Sequence, residues 1–119
     1  MPRLRYRLKT PSSRLEAKFA LYWRGLGGPE LQREFVFHPT RKWRADFAHI
    51  ETRTLIEIEG GIYVEGGGRH NRSAGFIADA EKYLEAALAG WRVLRLTDRQ
   101  ITAPSVERII RRVAERTTC

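Results

Sequence analysis

The chain has 119 residues, with 22 Lys and Arg against 14 Asp and Glu and a formal net charge of +8. That length holds one domain with its own core, and a 42% hydrophobic content with three Trp, four Tyr and five Phe excludes a generally disordered chain. One cysteine, Cys119, excludes an internal disulfide and a cysteine-based zinc cluster, and no apolar run approaches the ~20 residues of a membrane helix.

A soluble, cytoplasmic protein is expected, without an export signal, since MPRLRYRLK lacks the apolar stretch that follows a signal peptide's basic start. Arg far outnumbers Lys. Guanidinium groups pair with phosphate in a bidentate way, so the leading partner is nucleic acid, ahead of a membrane surface. No small-molecule cofactor is expected.

Residues 1–10 alternate basic with apolar or aromatic side chains and read as a basic arm or edge strand. Ser13-Arg14-Leu15-Glu16 has the form of a capping box, and Leu15, Phe19, Tyr22, Trp23 and Leu26 follow at helical spacing, predicting a helix over 13–24 that ends at Gly25, Gly27 and Gly28. Strands are predicted over 34–38, 44–50 and 54–60, as a three-stranded meander. The segment 60–75, rich in Gly and carrying Arg69, His70, Asn71 and Arg72, reads as a mobile basic loop. A helix over 76–89 follows, with Phe76, Ala80, Tyr83, Leu84, Ala87 and Leu88 on its apolar face and Gly90 as its stop. A strand over 91–96 and a helix over 104–116 complete the order α-β-β-β-α-β-α.

The stretch RADFAHIETRTLIEIEGG, residues 44–61, puts Asp46, Glu57 and Glu59 inside two of these strands. Side chains alternate along a strand, so Glu57 and Glu59 share a face with Leu55, while Ile56 and Ile58 face the core. A two-residue turn sets Asp46 opposite Glu57, a four-residue turn opposite Glu59, and a regular three-residue turn sends it to the other face. Converging carboxylates repel one another and raise each other's pKa unless a cation neutralises them, and Mg²⁺ suits such oxygen ligands beside a phosphate. The competing reading has the three acids facing solvent and paired with Arg44, Arg53 or Arg95.

The ordered set WRADF, LIEIEGG, GGRH, the D-x-x-KY of Asp79–Tyr83 and GWRVLRLT resembles the PD-(D/E)XK nuclease superfamily, over roughly residues 13–101. Within it, the set is similar to phage-type Holliday junction resolvases and to the very-short-patch-repair branch of endonucleases. The resemblance implies an α/β, restriction-endonuclease-like core, a mixed sheet flanked by helices, in a single nuclease domain spanning 1–119. It also implies a metal-dependent endodeoxyribonuclease, with Mg²⁺ as cofactor and Mn²⁺ as substitute, acting as a homodimer on four-way junctions. A nicking or mismatch-repair endonuclease on duplex DNA, or a non-catalytic DNA-binding domain on a decayed nuclease fold, are the alternatives.

Carried over by position, the resemblance makes Asp46, Glu57, the Ile58 carbonyl and Glu59 the metal ligands, and Glu16, Asp46, Glu57, Glu59 and Lys82 the catalytic set. Two departures stand out: Ala45 replaces the proline, and Glu59 occupies the place of the lysine. Lys82 is a candidate for the displaced lysine, although its helical position, opposite Phe76, Tyr83 and Leu84, also suits a solvated side chain. Glu16 either completes the capping box or faces the sheet. Arg3, Arg5, Arg7, Arg41, Lys42, Arg44, Arg69, His70 and Arg72 are the candidate DNA contacts, and Tyr63, Phe76 or Trp91 could supply apolar dimer surface.

Overall fold

The computed structural model describes residues 11–59 and 72–118, with side chains over 14–59 and 74–115. The basic arm, most of the Gly-rich loop, Tyr63 and Cys119 lie outside the described residues, as do Arg3, Arg5, Arg7, Arg69 and His70. The elements are α1 (Pro11–Gly25), β1 (Gln32–Val36), β2 (Arg44–His49), β3 (Thr54–Ile58), α2 (Arg72–Leu88), β4 (Arg92–Leu96), a 3-10 turn at Asp98–Gln100 and α3 (Ala103–Thr118). No described helix is long and apolar enough to cross a membrane.

The helix ends follow from local chemistry. Pro11, whose missing N–H costs nothing in a first turn, opens α1, which places the backbone of Ser13 inside the helix rather than at its start. Both α1 and α2 stop at glycines with positive φ, Gly27 (79°) and Gly90 (91°). At each, the two following amides turn back onto the last helical carbonyls: Gly27 N to Arg24 O and Gly28 N to Trp23 O after α1, Gly90 N to Ala87 O and Trp91 N to Ala86 O after α2. A reciprocal capping box is built at the 3-10 turn, between Thr97 and Gln100.

The chain makes a four-stranded mixed sheet in the order β1-β2-β3-β4, with β1, β2 and β3 antiparallel and β4 parallel to β3. Strand β1 runs two residues earlier than the predicted 34–38, and beyond its end His38 accepts the Thr40 and Arg41 amides through Nδ1 and closes a turn. Residues 72–75, predicted as loop, are the first turn of α2.

Both faces of β3 are buried. On one side Phe47, Ile56 and Ile58 pack with Phe19 and Trp23 of α1 and Val106 and Val113 of α3. On the other Ala45, Ala48 and Leu55 pack with Ala86 of α2 and Trp91. Phe19 and Phe47, tilted against each other at 4.9 Å, are both essentially inaccessible, and each contributes about 2 to 3 kcal/mol by burial.

Helix α2 is rotated relative to the sequence expectation. Its large apolar residues Phe76, Ile77, Leu84 and Leu88 are exposed among the described residues, and it turns Lys82, Tyr83 and Ala86 to the sheet. The sheet surface beneath is Ala45, Ala48, Leu55 and Glu57, which admits a close helix through Ala86 and requires a cation.

Candidate functional site

The hairpin of β2 and β3 aims two acids at one place. His49 pairs with Thr54, leaving residues 50–53 as the connection, and Phe47 faces Ile56. Carrying that register one step further sets Asp46 beside Glu57, the outcome expected of a two-residue turn, although four residues stay unpaired. Asp46 Oδ2 accepts the Ile58 N–H at 2.7 Å, a bond that holds its carboxylate over the end of β3.

A slip in the strands' alternation lets Asp46 be reached from both helical layers. Arg33 lies on the α1 side, over the Phe47 ring, while Phe35, two residues on, packs against Trp91 on the α2 side. Phe47 and Ala45 divide in the same way. The switch occurs at the facing residues Glu34 and Asp46, and Glu34 takes a φ of 52°, a left-handed conformation uncommon outside glycine. Regular alternation would have kept Asp46 on a single face.

From α1, Glu16 comes close enough to Asp46 to share a proton, and Arg33 sits 3.4 Å from its other side. From α2, the Lys82 ammonium lies 2.9 Å from Glu57 Oε2 and donates to the Arg44 carbonyl, also at 2.9 Å. The lysine reaches the site because its aliphatic stem lies along the packed face of α2, and only 17% of its side chain is exposed. Solvated Asp46 and Glu57, the competing reading, are overturned: Glu57 is buried and Asp46 half-buried.

Burial governs the electrostatics. It pushes Glu57 up to about 7, with Lys82 opposing and the charges of Asp46 and Glu59 adding. It pushes Glu16 to about 7 as well, reinforced by Asp46. Asp46 is also raised by burial, against the pull of the Ile58 N–H and Lys82. Glu57 Oε2, despite its nearby ammonium, has no hydrogen bond of good geometry, which leaves a buried carboxyl oxygen incompletely satisfied.

Glu59 is placed differently from the expectation of a converging third ligand. Its carboxylate pairs with Arg95 at 2.8 Å, and Arg95 also approaches Asp79 at 3.8 Å and stacks over Tyr83 at 4.6 Å. Glu59 stays within electrostatic reach of Glu57 without touching it. Among the described residues no three Asp, Glu, His or Cys side chains converge closely enough to hold a metal ion as they stand. The donor set nevertheless fits a hard cation, because Asp46, Glu57 and Glu16 offer only oxygen and Glu57 Oε2 has the Lys82 ammonium beside it without a hydrogen bond of good geometry.

Of the expected DNA contacts, Arg41 pairs with Glu81 at 3.2 Å and lies over Trp43, and Arg44 pairs with Glu34 at 3.0 Å. Lys42 is exposed, and the backbone of Arg72 opens α2. Glu34 and Arg33 are site neighbours that sequence reading missed. The only sequence signal for either was a base and an acid side by side just before Phe35, the first apolar residue of β1. Comparison with known proteins finds no matching family model, no matching curated protein and no matching solved structure.

Proposed function

We propose that this chain is a metal-dependent, structure-specific endodeoxyribonuclease of PD-(D/E)XK type, which resolves four-way DNA junctions by paired phosphodiester hydrolysis. The observation that carries the reading is the juxtaposition, at the ends of β2 and β3, of Asp46 and Glu57 with a lysine delivered by α2 and an acid delivered by α1. A basic chain that buries an acidic cluster with one underpartnered oxygen has the parts for bringing a cation and a phosphate together.

Asp46, Glu57 and the Ile58 carbonyl would hold Mg²⁺ or Mn²⁺. The ion supplies Lewis acidity toward the phosphodiester and makes a water more acidic. Lys82 takes the role that Glu59 cannot fill, offsetting negative charge on the attacking water and the phosphoryl oxygens. Glu16, which titrates near neutrality, is placed to accept the water's proton. Glu59 anchors Arg95 at the rim, where the guanidinium can meet a phosphate.

Two incisions across a pseudo-two-fold junction require two sites, and the exposed Phe76, Ile77, Leu84 and Leu88 of α2 supply an apolar face on which a second copy could sit. The absence of three converging ligands among the described residues favours a second reading, a DNA-binding domain without catalysis. One experiment separates the two. Labelled four-way junctions, linear duplex and single strands are incubated with Mg²⁺, Mn²⁺ or EDTA. The expected result is paired nicks near the crossover in metal only, reduced about a hundredfold or more by Asp46→Asn, Glu57→Gln or Lys82→Ala while junction binding persists. Tight binding without cleavage in any metal would sink the enzyme reading, and equal cleavage of linear duplex would remove the specificity for branched DNA.

A further inference from the structure

Strand β4 closes the sheet order without a neighbour on its far side among the described residues. Its parallel ladder with β3 uses alternate residues: Arg92 N–H reaches Arg53 O at 2.8 Å, and Leu96 O receives the Glu59 N–H at 2.7 Å. Val93 and Arg95 therefore turn their N–H and C=O groups toward the open edge. Alongside that edge runs a groove of about 620 Å³ between β4 and α3. Leu94, Ile109 and Val113 line its apolar part, and its charged part is mainly Arg92, Arg108 and Arg112, with Glu115 as its one acid. Neither Arg108 nor Arg112 has an ion pair among the described residues, whereas Arg111 is taken by Glu107 at 3.4 Å.

We infer that this groove is a docking site for an extended peptide that adds to β4 as a fifth strand and carries apolar and acidic residues in turn at every second position. The open backbone groups of Val93 and Arg95 supply a ladder for such a strand. Every second side chain of the incoming strand then points toward α3, where apolar ones meet Leu94, Ile109 and Val113 and acidic ones meet Arg92, Arg108 and Arg112, all on one side of the sheet. Charge decides between occupants. The chain's own basic segment 2–9 and the β4 edge of a second copy would each set cation against cation. A nucleic acid strand would match the arginines, yet no aromatic ring lines the groove for base stacking and the apolar floor gives phosphate no partner. The site is separate from the carboxylate cluster and holds whether or not that cluster cleaves DNA.

The test uses the full chain and a short fluorescein-labelled peptide in which leucine and aspartate take turns at every second position with serine between them, read by anisotropy and by amide hydrogen exchange. Saturable binding is expected, with exchange at the Val93 and Arg95 amides slowed about tenfold or more at saturation. Arg108→Glu combined with Arg112→Glu, both exposed positions that leave the fold intact, should weaken binding roughly tenfold. A peptide carrying lysine in place of aspartate should not bind. Affinity unchanged in the double variant, or protection confined to other amides, would place the peptide elsewhere and overturn the inference. So would protection of the same two amides by an oligonucleotide instead of the peptide, or by self-association at high protein concentration.

Discussion

Glu57 sits beside an ammonium and still keeps its proton up to about pH 7, because burial outweighs the single favourable charge. Glu16 behaves alike, for burial and the neighbouring Asp46 act in the same direction. A carboxyl whose pKa is higher in the folded than in the unfolded chain stabilises the fold below the unfolded value, here 4.5, and loses that contribution as pH rises toward about 7. In EDTA the melting temperature should therefore fall across this window by more in the parent chain than in a Glu16→Gln, Glu57→Gln double variant. Parallel melting curves at all pH values would show that the two carboxyls titrate normally. At this scale the sequence was partly legible. Asp46 and Glu57 stood out as acids inside strands, but Lys82 entered only through the resemblance, since its helical position, away from the apolar stripe, equally suits a solvated side chain.

Among the elements, α2 carries the largest departure from expectation. Its sequence offers a broad apolar stripe through Phe76, Leu84 and Leu88, which periodicity alone assigns to the core. The sheet selects the other side because Glu57 needs a cation and Ala86 permits close approach. The stripe left outside has a direct consequence under the proposed dimeric function. Leu84→Glu with Leu88→Glu should turn the chain into a monomer by sedimentation, with unchanged thermal stability of the fold. A parent chain that sediments as a monomer would remove α2 as the dimer surface. The order of elements, the antiparallel meander and the glycine stops were readable because turn chemistry and alternation are local. The slip at Glu34 and Asp46 was not, because it depends on two strands changing sides together.

For the whole molecule, the charge of +8 is what a distant polyanion meets first. Part of it is spent internally: Arg33, Arg41, Arg44, Arg95 and Arg111 all hold ion pairs within the chain. If DNA binding still engages about six phosphates, affinity for a four-way junction should fall roughly a thousandfold between about 50 and about 200 mM salt, measured by anisotropy. A flat response would point away from DNA. The sequence showed the excess of arginine plainly, but only side-chain placement separates arginines that brace the fold from those open to a partner.

Lys82 has a further consequence as a tenant. Its ammonium already occupies the position beside Glu57 that an incoming divalent ion would contest, and it is tied to the Arg44 carbonyl as well. Under the proposed function, loading the site would exchange one cation for another, and the displaced lysine would be left with its charge facing the substrate phosphate. The same side chain that keeps the acids quiet at rest would be handed to the substrate on occupancy, so the resting and working states differ by a single change of partner.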